Sequence, residues 1–345
     1  MKKIKDLNLK IVQNLKIFGP ISLAIILIGA IVIAIFGMNI GLDFAGGAKL
    51  EIYFDEHLAN NPDMKTELIE EMKSVVEGEN FTIGSTRWSG EENTTLEIGL
   101  RYEYDGEKID SKSAEEQQAF LEKIQGDGLI QKLKDAAKNY DAEFEDIVIT
   151  ANIVNASTAN KLLKNALWAT AVAVVVMLIY IAIRFKFTSG LAAVIALLHD
   201  VLIMLALVSI FRIQVNTTFI AAVITIIGYS INATIIIFDR IREVSKLDSM
   251  KDCSDVEIAN KSIKDTLGRS ILTTLTTLVT VVALAVVCAI MGVTTMQEFA
   301  LPIIFGILAG TYSSVFLSAS IWVYLRRVAL KIQKKSKKQK SKVKA

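Results

Sequence analysis

The chain has 345 residues, 52% of them hydrophobic, with a formal net charge of +2 and a mean hydropathy of +0.44. That apolar excess excludes an ordinary soluble domain and points to a polytopic α-helical membrane protein. The two cysteines, Cys253 in a charged loop and Cys288 inside an apolar run, do not suit a disulfide framework.

In chain order, a basic leader (1–16, with Lys2, Lys3, Lys5, Lys10 and Lys16) precedes the first apolar run at 17–36. This run is too long, and continues too smoothly, for a cleaved signal, so it reads as a retained transmembrane helix. GLDFAGGAKLEI (41–52) follows directly. Asp43 falls at the membrane interface, and Gly46-Gly47 suit a tight corner into a first strand.

Residues 39–164 form the one large polar segment, with 26 acidic against 13 basic residues. KLEIYF (49–54) alternates as a strand, and MKTELIEEMKSVVEG (64–78) has helical apolar spacing. FTIGSTRW (81–88) and TTLEIGLRY (94–102) read as a hairpin, 111–139 as a charged helix interrupted near Gly126 and Gly128, and EFEDIVITAN (143–152) as a last strand. The order βαββαβ predicts a ferredoxin-like α+β domain. No nucleophile with a base, phosphate loop or metal-ligand cluster is legible, so neither an enzyme nor a cofactor or metal is expected. His57 reads as an ordinary surface histidine.

Five further transmembrane helices are expected at 165–183, 190–211, 216–238, 270–291 and 299–325. Polar residues inside them are the candidate functional groups, because such residues are costly in lipid and face a bundle interior or a hydrated path. His199 and Asp200 fall mid-span; they suit an interhelical hydrogen bond, a locking pair with Arg269, or an ion relay. At 100° per residue Thr225, Tyr229, Asn232 and Asp239 share one stripe of the fourth span, either polar glue between helices or the lining of a hydrated path. Asp239-Arg240-Ile241-Arg242-Glu243 then carries the helix out of lipid into a loop at 239–269. Arg269, at the mouth of the fifth span, suits a charge anchor, a gate or a relay. The tail 326–345 holds ten basic residues and no acid, and its composition predicts disorder.

Six spans put both termini on one side. The basic leader, the turn at 184–188, the loop 239–269 and the tail share that side, which the positive-inside rule makes cytoplasmic. The domain between spans one and two is then extracytoplasmic.

GLDFAGG, LLHDV (197–201), GYSIN-x-TIIIFDRIRE (228–243), TLGRSILTTLTTL (266–278) and FALPIIFGILAGTYSSVFLSA (299–319) stand in the order and spacing of the SecF family, and this resemblance covers nearly the whole chain. FDRIRE and the short external segment favour that family over its sister family SecD. The resemblance implies a bacterial inner-membrane subunit of the resistance-nodulation-division superfamily. It implies pairing with SecD and work beside the SecYEG channel, with YajC-like and YidC-like subunits nearby. Through these it would use the proton- or sodium-motive force to help SecA-driven export of unfolded secretory polypeptides; no specific nucleic-acid partner is implied. One position departs from the pattern: Ala233 stands where the family keeps an aspartate assigned to the proton pathway. The competing reading is a stand-alone small-molecule or lipid exporter of the same superfamily, and Ala233 keeps open a subunit without ion coupling.

Overall fold

The structure is a computed structural model that describes residues 11–343 apart from 55–63, 91–93, 110–112, 127, 141–143, 145–146, 155 and 292. His57 lies outside the described residues. Among the described residues, six apolar stretches are long enough to cross a membrane: Val12–Phe36, Thr158–Arg184, Phe187–Ile210, Thr217–Val244, Asp255–Ile290 and Thr294–Gln333. They correspond to helices α1 (Leu15–Phe36), α6 (Ala156–Arg184), α7 (Phe187–Ile210), α8 (Thr217–Val244), α9 (Asp255–Ile290), and α10 (Thr294–Tyr312) with α11 (Ala319–Val343). Between α10 and α11 the chain makes a π turn over Ser313–Ser318, so the sixth stretch is one helix with a widened middle.

Helices α7, α8 and α10 form the packed centre, where Met204, Phe219, Ile226, Ile227 and Ile307 are buried together. α1, α6 and α9 turn rows of large apolar side chains outward, such as Trp168, Val172 and Val176. A face of this kind is unfavourable in water and costs nothing against lipid or another apolar helix. Glycines set how closely the central helices approach. A Cβ on Gly306 would run into the Ile226 side chain, and one on Gly310 would lie 3.3 Å from Ser230 Cβ.

Between α1 and α6 stands an α/β unit. A single turn α2 (Leu42–Ala45) leads into β1 (Gly47–Tyr53), followed by α3 (Met64–Gly78), β2 (Phe81–Ser89), β3 (Thr95–Tyr104), a two-residue β4 (Glu107–Lys108), α4 (Ala114–Gly126), α5 (Leu129–Tyr140) and β5 (Val148–Val154). The sheet runs β2-β3-β1-β5, every pair antiparallel, with Leu50 opposite Ile98 and Ala151. Strand alternation sorts the two faces. Leu50, Ile52, Leu96, Ile98 and Leu100 point to the core under Leu68, Met72, Phe120, Ile124 and Leu133 of the helices. Each such side chain contributes about 1.5–3 kcal/mol on burial. The opposite face carries Lys49, Glu51, Arg87 and Glu97.

The interruption expected near Gly126 and Gly128 is present, with Gly128 at a φ of +82° between α4 and α5. Other boundaries correct the sequence reading. β5 closes at Val154 and α6 begins at Ala156, so the last residues assigned to the polar domain already belong to a membrane helix. The expected loop 239–269 is mostly helical: α8 runs to Val244 and α9 starts at Asp255. A capping box holds that start, with Ser254 Oγ accepting from the Glu257 N–H and Glu257 accepting from the Ser254 N–H. The tail expected to be disordered continues as helix to Val343, in keeping with the good helix propensity of lysine and glutamine.

Candidate functional site

Asp200 is fully buried, midway along α7. Its Oδ2 accepts from Ser230 Oγ of α8 and from Ser313 Oγ of the π turn, the latter at 2.8 Å. Its Oδ1 lies 2.9 Å from His199 Nδ1. His199 stacks on Tyr312 with ring centroids 6.2 Å apart, and Tyr312 donates to the Phe18 carbonyl of α1 at 2.7 Å. One carboxyl group therefore ties three helices directly and a fourth through one aromatic ring. A carboxyl this deep persists only where donors replace water, and here two hydroxyls and an imidazole do so. His199 Nε2 is buried without a hydrogen-bond partner among the described residues, which leaves the imidazole a free position for a proton or a water.

The residues expected to join Asp200 do not all do so. Arg269 is exposed, and among the described residues it makes no hydrogen bond or ion pair, so it does not lock Asp200. The polar stripe of α8 divides. Thr225 and Asn232 face outward with Gly228 beside them, and Thr225 donates to the Ala221 carbonyl at 2.8 Å. Tyr229 turns toward α9 and donates to Thr274 at 3.2 Å, while Thr274 and Thr311 lie 2.9 Å apart. Ser230 and Thr234 are buried on the opposite side. Asp239 bonds Arg184 at 2.6 Å, tying α8 to the end of α6, and Arg240 bonds Asp265 of α9 at 2.6 Å. These are braces at the end of the bundle remote from the sheet.

At the other end the α/β unit is strapped to the loop between α7 and α8. The Gly41 N–H donates to the Val215 carbonyl at 2.9 Å, and the Val215 N–H donates to the Asn39 carbonyl at 2.8 Å. Asp43 accepts from Thr217 Oγ1 at 2.7 Å, which caps the start of α8. Gly46 and Gly47 have φ values of +72° and +142°, and a side chain on Gly47 would collide with the Leu100 carbonyl. The expected corner is therefore built as the glycines suggest.

A second contact was not expected from the sequence. Arg87 of β2 bonds Glu97 at 2.6 Å on its own sheet and Glu298 of α10 at 2.7 Å, and also reaches Gln214 at 3.3 Å. Glu298 accepts in turn from Asn216, the N-cap of α8, at 2.5 Å. Burial works against the Glu97 carboxylate, but the charge of Arg87 and hydrogen bonds from Lys49, Ser89 and Arg87 outweigh it and hold the group below the ordinary glutamate range. Burial likewise opposes the Arg87 charge, and Glu298 and Glu97 hold it more firmly protonated than usual. Glu298 is the lone acid of an otherwise almost uncharged turn, and that was the one signal available in the sequence.

The family model described as protein export membrane protein SecD/SecF, C-terminal, matches residues 132–328. A protein translocase subunit SecF from Sebaldella termitidis is 36% identical over 97% of this chain and 98% of its own length. A protein translocase subunit SecDF from Bacillus subtilis is 32% identical over 89% of this chain, which spans 37% of that longer protein. The crystal structure of SecDF from Thermus, a translocon-associated membrane protein, superposes with a TM-score of 0.69 at 26% identity, over 94% of this chain and 39% of that one.

Proposed function

Because the chain belongs to the SecD/SecF family of protein-export membrane proteins, we propose that it is the SecF half of a twelve-helix unit in which ion movement across the membrane assists protein export. Membership makes it an accessory subunit of the Sec translocase, and the relatives are translocase subunits rather than enzymes. This does not favour the reading as a stand-alone small-molecule or lipid exporter.

The partner is a SecD subunit. The longer SecDF relatives leave more than half of their length beyond this chain, enough for a second six-helix half and its external domain. The unit works beside SecYEG, with YajC-like and YidC-like subunits as further neighbours, on chains driven by SecA. The basic segments support a reading with both termini in the cytoplasm and the α/β unit outside. Its βαββαβ order and β2-β3-β1-β5 sheet support the ferredoxin-like reading of that unit.

The observation that carries the mechanism is Asp200: a fully buried carboxyl at mid-bundle, held by donors from three helices, beside an imidazole with one unsatisfied nitrogen. Adding or removing one proton there changes what Ser230 and Ser313 can bond. One charge crossing the membrane is worth about 2.3 kcal/mol per 100 mV, which shifts a two-state equilibrium about fiftyfold. With Ala233 in place of the family's aspartate, the partner half supplies the acid missing from α8, and Arg269 with Asn232 faces that half. The test uses vesicles holding the chain with SecD and SecYEG, SecA inside-out, and an imposed proton or sodium gradient. Asp200→Asn is expected to abolish the gradient-dependent part of export and leave the ATP-driven part. Full gradient dependence in that variant would refute the role of Asp200.

A further inference from the structure

Among the described residues the α/β unit meets the membrane bundle through α2 packed on α6, through a strap at its root and through an ion pair from β2 to α10. The strap at residues 37–46 is built from backbone hydrogen bonds and the Asp43 cap, and it holds the root of the sheet to the loop between α7 and α8. The ion pair is Arg87–Glu298, and Glu298 sits on α10. That same helix leads, 15 residues on, into the π turn at Ser313, the donor to Asp200. At 1.5 Å per residue the two points are about 22 Å apart along one helix. The buried carboxyl and the outer sheet are therefore joined by a single element.

Two features of α10 suit it to movement. Its inner end is the π turn, which holds one residue more than an α-helix of the same length and converts to α geometry by a register shift of about 1.5 Å and 100°. Against α8 it lies close at Gly306 and Gly310, with the Ile226 side chain seated on Gly306 and Ser230 beside Gly310. Near its outer end Pro302 has no N–H for the Glu298 carbonyl, so the first turn is softly jointed to the rest. Around Arg87 a cavity of about 110 Å³, lined by Asp43, Lys49, Arg87, Glu97, Gln214 and Asn216, leaves room for the ion pair to shift.

We propose that α10 is the transmission rod of the subunit: release of Ser313 by Asp200 lets the π turn change register, and Arg87–Glu298 hands the resulting movement of α10 to the sheet, which tilts about the strap at 37–46. Arg87 and Glu298 are positioning residues in this scheme, acting through the helix. The groups that face Asp200 are His199 from α7, Ser230 from α8 and Ser313 from the π turn; among the described residues no other ionisable side chain bonds it. The scheme rests on the reading of Asp200 as the responsive carboxyl, but the link itself is tested without a gradient.

The full chain, with Cys253 and Cys288 changed to Ser, is assembled with its SecD partner in lipid nanodiscs. Spin labels are placed at Glu77→Cys on α3 and Ile35→Cys on α1, both exposed. Asp200→Asn, which mimics the neutral carboxyl, and Ser313→Ala, which removes the bond and leaves the carboxyl in place, are each expected to shift the label distance by more than about 1.5 Å. Adding Arg87→Gln to either is expected to abolish the shift, and Arg87→Lys to restore part of it. An unchanged distance in both single variants overturns the proposal, and so does a full shift that persists with Arg87→Gln. If these shifts appear while Asp200→Asn still exports with full gradient dependence, the transmission stands and the ion-coupling role of Asp200 falls.

Discussion

Ser313 reaches Asp200 over 2.8 Å from inside a π turn, where the helix is wide enough to present two successive serines to the bundle centre. Ser230 completes the pair of hydroxyls on the same carboxylate oxygen. Replacing Asp200 with Leu removes the acceptor and strands buried donors, each at a cost of about 1–3 kcal/mol. Ser313 also lies 3.3 Å from the Gly310 carbonyl, which moderates its share. Asp200→Asn keeps a neutral acceptor of the same shape for Ser230, while Ser313 is free to turn fully to the Gly310 carbonyl. Thermal melts in mild detergent are expected to place Asp200→Leu clearly below wild type and Asp200→Asn close to it. Equal melting temperatures for the two variants would contradict a structural part for the carboxyl.

The sheet face over the membrane has a definite pH signature. Glu97 is held below the ordinary glutamate value, so its contribution to stability is fully present above about pH 4.3 and fades as acid protonates the folded form. For Lys49, burial opposes the charge while bonds to Glu51 and Glu97 outweigh it and raise the pKa; that contribution is complete below about pH 10.4 and is lost as pH rises beyond it. Melting of the full chain followed from pH 3 to 12 should show an acid limb that opens below about pH 4.3 and an alkaline limb that opens above about pH 10.4. Glu97→Gln should flatten the acid limb. An acid limb of unchanged depth in that variant would assign the loss to other carboxylates.

The glycines of the α/β unit separate conformational need from mere occurrence. Gly47 has a φ of +142° and its absent side chain would meet the Leu100 carbonyl, whereas a Cβ on Gly78, at the end of α3, would have nothing within 4 Å. Gly47→Ala should therefore destabilise by more than about 1–2 kcal/mol through strain and collision. Gly78→Ala should be neutral or stabilise by up to about 1 kcal/mol by restricting the unfolded chain. Denaturant midpoints measured on the two variants give the sign of each. A shift in the same direction for both would argue against the positive φ at Gly47.

The membrane helices and the strand order were legible because both rest on local pattern: long apolar runs for lipid, alternation for a half-buried sheet. Tertiary choice was not legible. The 100° stripe grouped Tyr229 with Thr225 and Asn232, and contact with Thr274 of α9 drew Tyr229 inward. Ser313 lay hidden because a π turn breaks the 3.6-residue period that assigns faces. Arg87 and Glu298 are 211 positions apart, beyond any local pattern. The helical start at Asp255 was readable, since Ser254-x-x-Glu257 is a capping box, but the surrounding charges suggested a loop. His199 and Asp200 were singled out by the rule that ionisable groups in a span are candidate functional groups, and of the partners left open the structure gives Asp200 Ser230 and Ser313 in place of Arg269.

The outward face of α8 and α9 supplies the sharpest test of how the chain works without the family's aspartate. Arg269 is exposed and has no bonding partner among the described residues, while Thr225, Gly228 and Asn232 form a small, polar, outward strip on α8. Positioned toward lipid such groups are costly, whereas in the proposed pairing they face the SecD half to which the missing acid is assigned. Arg269→Leu is therefore expected to leave the melting temperature of the isolated chain unchanged, because no described contact is lost, and to remove most gradient-dependent export by the SecD-paired complex. Ala233→Asp places a second carboxyl beside Asn232 on a half-buried position. In the Arg269→Leu background it has no cation to meet and should lower export further, whereas with Arg269 present it should be tolerated. Ion flux and export are measured together in the same vesicles. Full gradient dependence in Arg269→Leu would remove this arginine from the ion path and leave Asp200 as the only candidate proposed in this subunit.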